Sequence, residues 1–188
     1  MKQKICRFIF TRVLGWKYKI DTPVFKKCVI CVAPHTSNWD LFIGQLYYGM
    51  LGLKASFMMK KEWFFFPLGS LFKAIGGIPV HRSKKTSLVD QMTEKFNERE
   101  TFHLAITPEA TRKPNKHWKK GFYFIAKQAN VPILLIGVDY PSKMIHSGHY
   151  LYPTGNLEQD MEVINNFFKN FTGKNPKNFL LDESTASR

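Results

Sequence analysis

The amino-acid sequence predicts an α/β fold in which a mixed central β-sheet is flanked by helices. Short β-rich runs alternate along the chain with stretches whose apolar residues recur at helical spacing. Hydrophobic residues fill 44% of the 188 positions, which supports a real core and excludes a disordered polymer. No internal repeat, low-complexity tract or long linker breaks the pattern, so residues 1–188 read as one domain.

The elements follow in order. "CVICVA", residues 28–33, reads as a buried strand. A helix over 38–52 carries Leu41, Phe42, Ile43, Leu46, Tyr47, Tyr48, Met50 and Leu51 around nearly its whole circumference, so it is either fully buried or partly in lipid. A strand at 55–59 leads to a helix at 62–74, whose "WFFFPLGSLF" forms a second apolar patch after Lys60 and Lys61. Paired glycines open a strand at 77–81. The helix at 84–99 shows a core stripe of Leu88, Val89, Met92 and Phe96. A strand at 103–107, a helix at 118–129 with Trp118, Phe122, Ile125 and Ala129, and a strand at 132–138 complete the motif-bearing core, residues 28–140. A further strand falls near 148–152. The last helix, 157–171, is the clearest, with Leu157, Met161, Ile164, Phe168 and Phe171 on one stripe.

Charge narrows the partners. With 28 Lys and Arg against 14 Asp and Glu, the formal net charge is +14. Such a chain attracts nucleic acid, an anionic bilayer or acidic soluble ligands. No uninterrupted apolar run approaches the roughly 18 residues that span a bilayer, so no transmembrane segment is expected. Residues 1–20 intersperse cations with Ile5, Phe8, Ile9, Val13, Leu14 and Trp16, and lack the apolar centre and cleavage site of a signal peptide. A basic amphipathic helix lying on a membrane fits this segment better than a signal peptide does, and a terminal helix packed on the core with its cations in water stands nearly level with it.

Cys6, Cys28 and Cys31 give no disulfide framework. Residues three apart on a strand point to opposite faces, so the two cysteines of "CVIC" are structural rather than a redox or metal pair. His146 and His149 lack further ligands beside them, and no metal is expected there. His81, His103 and His117 read as structural or exposed.

Chemistry concentrates after three strands. "VAPHTSNWDLF", residues 32–42, leaves its strand through Pro34 and presents His35 just beyond the sheet edge, where ligands of open α/β sheets bind. Ser37 or Asn38 caps the next helix, so Asp40 lies in its first turn. Either His35 is a base whose tautomer Asp40 fixes, or both are ordinary loop and helix-start residues. "AITPEATRKP", residues 105–114, ends a second strand in a turn with Glu109, Thr111 and Arg112, a hydroxyl and a guanidinium suited to gripping phosphate. "GGIPVHRSKK" ends a third at Arg82. A base and two anion grips could thus share one cleft.

These segments resemble the acyltransferases that make phosphatidic acid from lysophosphatidic acid, and their glycerolipid relatives. That family's His-x4-Asp motif is seen as His35 to Asp40, its Gly-x-Ile-x-x-x-Arg-like block as "GGIPVHR" (76–82), its Pro-Glu-Gly-Thr-Arg block as "PEATR" (108–112) and its Val-Pro-Ile block as "VPI" (131–133). The blocks occur in the family's order over roughly residues 28–140. The resemblance implies a glycerol-3-phosphate acyltransferase-like fold. It also implies that His35 is the general base for an acceptor hydroxyl and that Asp40 orients it. Arg82 and Arg112 then hold the acceptor's phosphate, with Glu109 and Thr111 shaping that pocket. The donor is acyl-CoA or acyl-carrier protein, with no metal or bound cofactor needed. The expected place of work is the cytoplasmic face of the inner membrane, peripherally bound to its anionic surface.

One departure stands out. Ala110 occupies the family's glycine position, which leaves the acceptor head group open between lysophosphatidic acid and a lyso-aminolipid of the ornithine or glycine type. Outside enzymes, the bulk charge and aromatics allow a nucleic-acid-binding module, but no recognised nucleic-acid motif supports it.

Overall fold

A computed structural model describes residues 1–80 and 87–183. The chain opens with helix α1, Lys2–Phe8, which passes into a π-helical turn, Ile9–Val13. Strand β1, Lys17–Ile20, and strand β2, Lys27–Ala33, follow. Then come α2, Trp39–Met50; β3, Ala55–Lys60; a 3₁₀ turn, Lys61–Trp63; α3, Leu68–Ala74; and β4, Gly77–Val80. The second half holds α4, Leu88–Asn97; β5, Phe102–Ile106; α5, Gly121–Ala129; β6, Ile133–Asp139; β7, Met144–Leu151; and α6, Leu157–Phe168.

The strands form one seven-stranded sheet in the order β1-β7-β6-β2-β5-β3-β4. β6, β2, β5, β3 and β4 run parallel, β7 lies antiparallel to β6, and β1 parallel to β7. The sheet is therefore mixed, as the sequence predicts. β2 sits at its centre, and "KCVICVA" is apolar on both faces because helices cover both. One core layer packs Val29, Cys31, Leu104 and Leu135 of the sheet against α4, α5 and α6. The other packs Cys28, Ile30, Leu134 and Ile136 against α2 and the N-terminal segment. Cys28 and Cys31 thus do point to opposite faces. Burial pushes the Cys28 thiol up to about 12 and that of Cys31 up as well, so both are inert apolar groups.

Several boundaries differ from the sequence reading, each for a local reason. No single helix covers residues 1–20. Gly15 at φ 69 ends the helical stretch, and Lys17–Ile20 becomes a fully exposed edge strand guarded by two lysines. The segment is both packed and exposed: Phe10 and Trp16 are buried beside Tyr47 and Tyr140, while Ile5, Phe8 and Val13 face outward. The expected helix over 62–74 splits at Pro67, which lacks the N–H that a continuous helix would use. The expected helix at 118–129 starts at Gly121, because the Trp118 N–H goes to the Asp182 carboxylate instead. The strand expected near 148–152 begins earlier, at Met144, and the last helix stops at Phe168. Residue 81 of the third predicted strand and residues 84–86 of the next predicted helix lie outside the described residues.

Past α6, residues 172–183 return across the sheet edge. The Thr172 carbonyl accepts the Tyr140 N–H at 2.9 Å, and Asn175 bonds Thr36 twice, from its backbone N–H at 3.1 Å and from its side-chain amide at 2.8 Å. Asp182 is buried, where it accepts from Trp118 N–H at 2.9 Å and pairs with Lys120.

The paired glycines before β4 are structural. Gly76 sits at φ 99, and a Cβ there would lie 2.3 Å from the Ala55 carbonyl oxygen. Strain and backbone collision together should make Gly76→Ala lose about 2–4 kcal/mol in urea unfolding, without touching the opposite sheet edge.

Candidate active site

Because β2, β5 and β6 are parallel, their carboxyl ends open on one edge, with Cys31 opposite Ile106 and Ala33 opposite Gly137. The connections that leave β2 and β5 head in opposite directions across the sheet, toward β3 and toward β6, and run over opposite faces. Between such strands is where ligand clefts of these sheets lie. His35 leaves that edge two residues after β2. The helix α2 that follows has no side-chain cap from Asn38; Asp40 in its first turn does the local work. Its Oδ2 accepts the backbone N–H groups of Thr36 and Ser37, both at 2.9 Å, and faces His35 Nδ1 at 3.1 Å. Its Oδ1 accepts the Tyr140 hydroxyl at 2.6 Å. Four donors therefore hold a carboxylate that is only 7% exposed, which offsets the cost of burying it. With Nδ1–H directed to Asp40, a neutral imidazole carries its lone pair on Nε2, free to take a proton. The His35 side chain remains 17% exposed while that of Asp40 is 3% exposed, so a ligand reaches the ring but not the carboxylate.

The loop after β5 meets this one directly. Glu109 Oε1 accepts the His35 N–H at 2.7 Å, so the side chain grips the backbone of the histidine loop. Only 3% exposed, Glu109 stands behind His35 rather than lining an open phosphate pocket. Burial pushes its pKa up to about 7, with the His35 N–H opposing the shift. Oε2 has no partner among the described residues, which fits a carboxyl group near neutrality. Thr111 Oγ1 accepts the Lys113 N–H at 3.2 Å and so shapes the turn, its own hydroxyl proton still available. Arg112 is exposed in the same turn, three residues beyond Glu109. Ala110 adopts φ 56, the conformation in which glycine is at ease and alanine costs about 1–2 kcal/mol. Arg82, the second expected anion grip, lies outside the described residues. Lys116 and Lys120 pair with Glu183 and Asp182 of the returning segment, whereas Lys113 and Lys119 stay exposed.

The family described as Acyltransferase matches residues 17–139, which takes in both loops and the two strands, β2 and β5, that carry them. The chain belongs to the Acyltransferase family. Its fold is similar to that of the 1-acyl-sn-glycerophosphate (LPA) acyltransferase PlsC from Thermotoga maritima, with a TM-score of 0.62 over 89% of this chain and 75% of that one, at 18% identity. No curated protein matches the chain significantly. As an acyltransferase, it is an enzyme, and the nucleic-acid module that bulk charge allowed is displaced.

Two parts of the acyltransferase site escape sequence reasoning. Tyr140 lies 100 residues from the carboxylate it bonds, and its only local signal is its place just beyond the carboxyl end of β6. Asn175 is further still from Thr36, in a segment without periodicity. A cavity of about 790 Å³ lies elsewhere, at the amino ends of β2, β3 and β5. Seven residues of β2 put it about 20 Å from His35. Lys54, Lys73, Lys95 and Arg99 around it lie at the carboxyl ends of α2, α3 and α4, where cations complement the helix dipoles. Position and charge give it no part in chemistry at His35.

Glu109 makes stability depend on pH. Its folded pKa, about 7, is above the ordinary 4.5, so the folded state holds the proton more tightly than the unfolded chain. That contribution is complete below about 4.5 and is lost as pH rises to about 7, on the order of 3 kcal/mol. Glu109→Gln keeps an oxygen for the His35 N–H and should flatten this slope in unfolding measured from pH 4 to 8.

Proposed function

We propose that the protein moves a fatty acyl group from acyl-CoA or acyl-carrier protein to the hydroxyl of a lysolipid at a membrane surface, with lysophosphatidic acid as acceptor and phosphatidic acid as product. The observation that carries this reading is the hydrogen-bonded pair of His35 and Asp40, set at the carboxyl edge of the sheet against the "PEATR" loop. Nε2 of His35 takes the proton of the acceptor hydroxyl as its oxygen attacks the thioester carbonyl. The tetrahedral intermediate collapses, the C–S bond breaks, and the departing thiolate receives the proton. Asp40 holds the ring in the required tautomer and stabilises the imidazolium that forms between the two steps. General-base help of this kind is worth roughly a hundred- to ten-thousandfold, and positioning of both substrates supplies much of the remainder. A thioester is already activated, so the reaction as written draws on no metal or bound cofactor.

Arg112 of the exposed turn, together with Arg82, holds the acceptor's phosphate in this reading, and Thr111 donates its hydroxyl to it. Exposed Lys113 and Lys119 draw the acidic donor toward the cleft. Membrane contact has its own support. Trp39, Leu41 and Phe42 are exposed on α2 beside His35, and Trp63, Phe65 and Phe66 are exposed just past the carboxyl end of β3, next to Lys60 and Lys61. These groups lie on the edge that carries the proposed chemistry, so a lipid acceptor would not need to leave the bilayer fully. Ile5, Phe8 and Val13 add a second apolar stripe on the N-terminal segment. No helix among the described residues is long and apolar enough to cross a membrane. Peripheral attachment to the cytoplasmic face of the inner membrane is the corresponding location.

A second acceptor is favoured by one specific feature, Ala110 at a positive φ where the family has glycine. The carboxylate of a lyso-aminolipid would then take the arginine site assigned to phosphate. Labelled acyl-CoA or acyl-carrier protein, presented with lysophosphatidic acid in one arm and a lyso-aminolipid in the other, separates the two. His35→Ala should lower transfer at least roughly a hundredfold with either acceptor. Transfer that survives this substitution removes His35 as the base.

A further inference from the structure

We propose that Tyr140 is a positioning residue for the pair of His35 and Asp40, and that its contact with Trp16 ties the pair's geometry to the seating of the N-terminal segment. What the pair does rests on the acyl-transfer reading; that Tyr140 sets its geometry does not.

Asp40 has two oxygens with different duties. Oδ2 serves His35 and two backbone N–H groups, while Oδ1 accepts the Tyr140 hydroxyl. At 2.6 Å this is the shortest of the four bonds, within the range of charge-assisted O–H···O⁻ contacts. It draws charge toward Oδ1 and opposes rotation of the carboxylate, and both effects set how strongly Oδ2 pulls on the imidazole. Burial and the Asp40 charge raise the phenol's pKa far above its ordinary value, so the hydroxyl stays a donor across the working pH range.

Tyr140 is itself held from two sides. Its N–H donates to the Thr172 carbonyl at 2.9 Å. Its ring meets Trp16 edge-on, at 5.1 Å between centroids and 88° between planes. The Trp16 N–H donates to the Phe10 carbonyl at 2.9 Å, and the buried Phe10 ring packs 6.1 Å from Tyr47 of α2. Thus Phe10, Trp16, Tyr140, Asp40 and His35 form an unbroken line of contacts from the segment that exposes Ile5, Phe8 and Val13 to the reacting imidazole. Glu109 stands behind His35, and Lys174 of the returning segment places its ammonium 5.3 Å from the ring of Trp39, the first residue of α2.

The test is Tyr140→Phe in the full chain. Loss of the hydroxyl leaves more charge on Asp40 and strengthens its hold on the imidazolium. The His35 pKa, read from its ring-proton NMR signal, should rise by about one pH unit, and the acid limb of kcat/KM should move with it. The carboxylate, free to rotate once the hydroxyl is gone, aims the ring less often, and for that reason we expect kcat to fall roughly tenfold with KM nearly unchanged. Burial pushes the Glu109 pKa up to about 7 and its carboxyl bonds the His35 N–H, so the titration is repeated in a Glu109→Gln background, where the rise should persist. Trp16→Leu, which keeps the hydroxyl, should shift His35 in the same direction by less. An unshifted His35 titration in Tyr140→Phe overturns the positioning role, even if kcat falls, because that pattern marks a tyrosine needed only for folding. A Trp16→Leu protein that titrates and turns over as the unaltered chain does overturns the link to the N-terminal segment. Absence of transfer by the unaltered protein counts against the acyl-transfer reading, while the NMR titration still decides the role of Tyr140.

Discussion

The buried carboxylate of Asp40 is the constraint on which the site depends. A charge taken out of water must find donors, and hydrogen bonds to charged groups are worth about 1.5–3 kcal/mol each. Here the donors come from the histidine loop itself, from the imidazole and from the far end of β6. The demand of one side chain therefore fixes two others and a turn of backbone: it curls residues 36 and 37 back over the start of α2, aims the His35 ring, and pins Tyr140. Glu109 completes the loop from behind by holding the His35 N–H. A carboxyl group with a raised pKa suits that position, because a second full negative charge beside Asp40 would compete for the same imidazole.

The sheet turns these local demands into a cleft. Five parallel strands deliver their carboxyl ends to one edge, and the two loops that carry the chemistry leave from neighbouring strands, β2 and β5. Helices on both faces bury five of the seven residues of β2, so the strand that ends in the histidine loop is among the least free to move. Cations are distributed in a different way. Several serve the carboxyl ends of helices at the opposite edge, and two are neutralised by the returning C-terminal segment, so that much of the net charge is structural.

The alternation of apolar strands and helical stripes was enough to read the fold class, six of the strands and the order of the motifs, since period-2 and period-3.6 patterns are local. β1 was not legible: four residues, all exposed, have no buried face to mark them. Pro67 was visible as a helix breaker, yet the apolar run around it outweighed the signal. The pairing of His35 with Asp40 could be read because five residues spanning a helix start keep the two close. Glu109 could be found but not understood, since nothing in "PEATR" says that its carboxylate faces another loop's backbone. Tyr140 and Asn175 could not be found at all, because both act across more than ninety residues of sequence.

The segment that comes back over the sheet edge after α6 bears on how the enzyme is born. The histidine loop emerges from the ribosome early, but the Thr36 hydroxyl and carbonyl meet Asn175 only when that residue has been made, and Trp118 waits for Asp182. A nascent chain can thus build its sheet while the reactive corner is still unfinished. Translation itself then delays completion of this corner until the segment after α6 has been made.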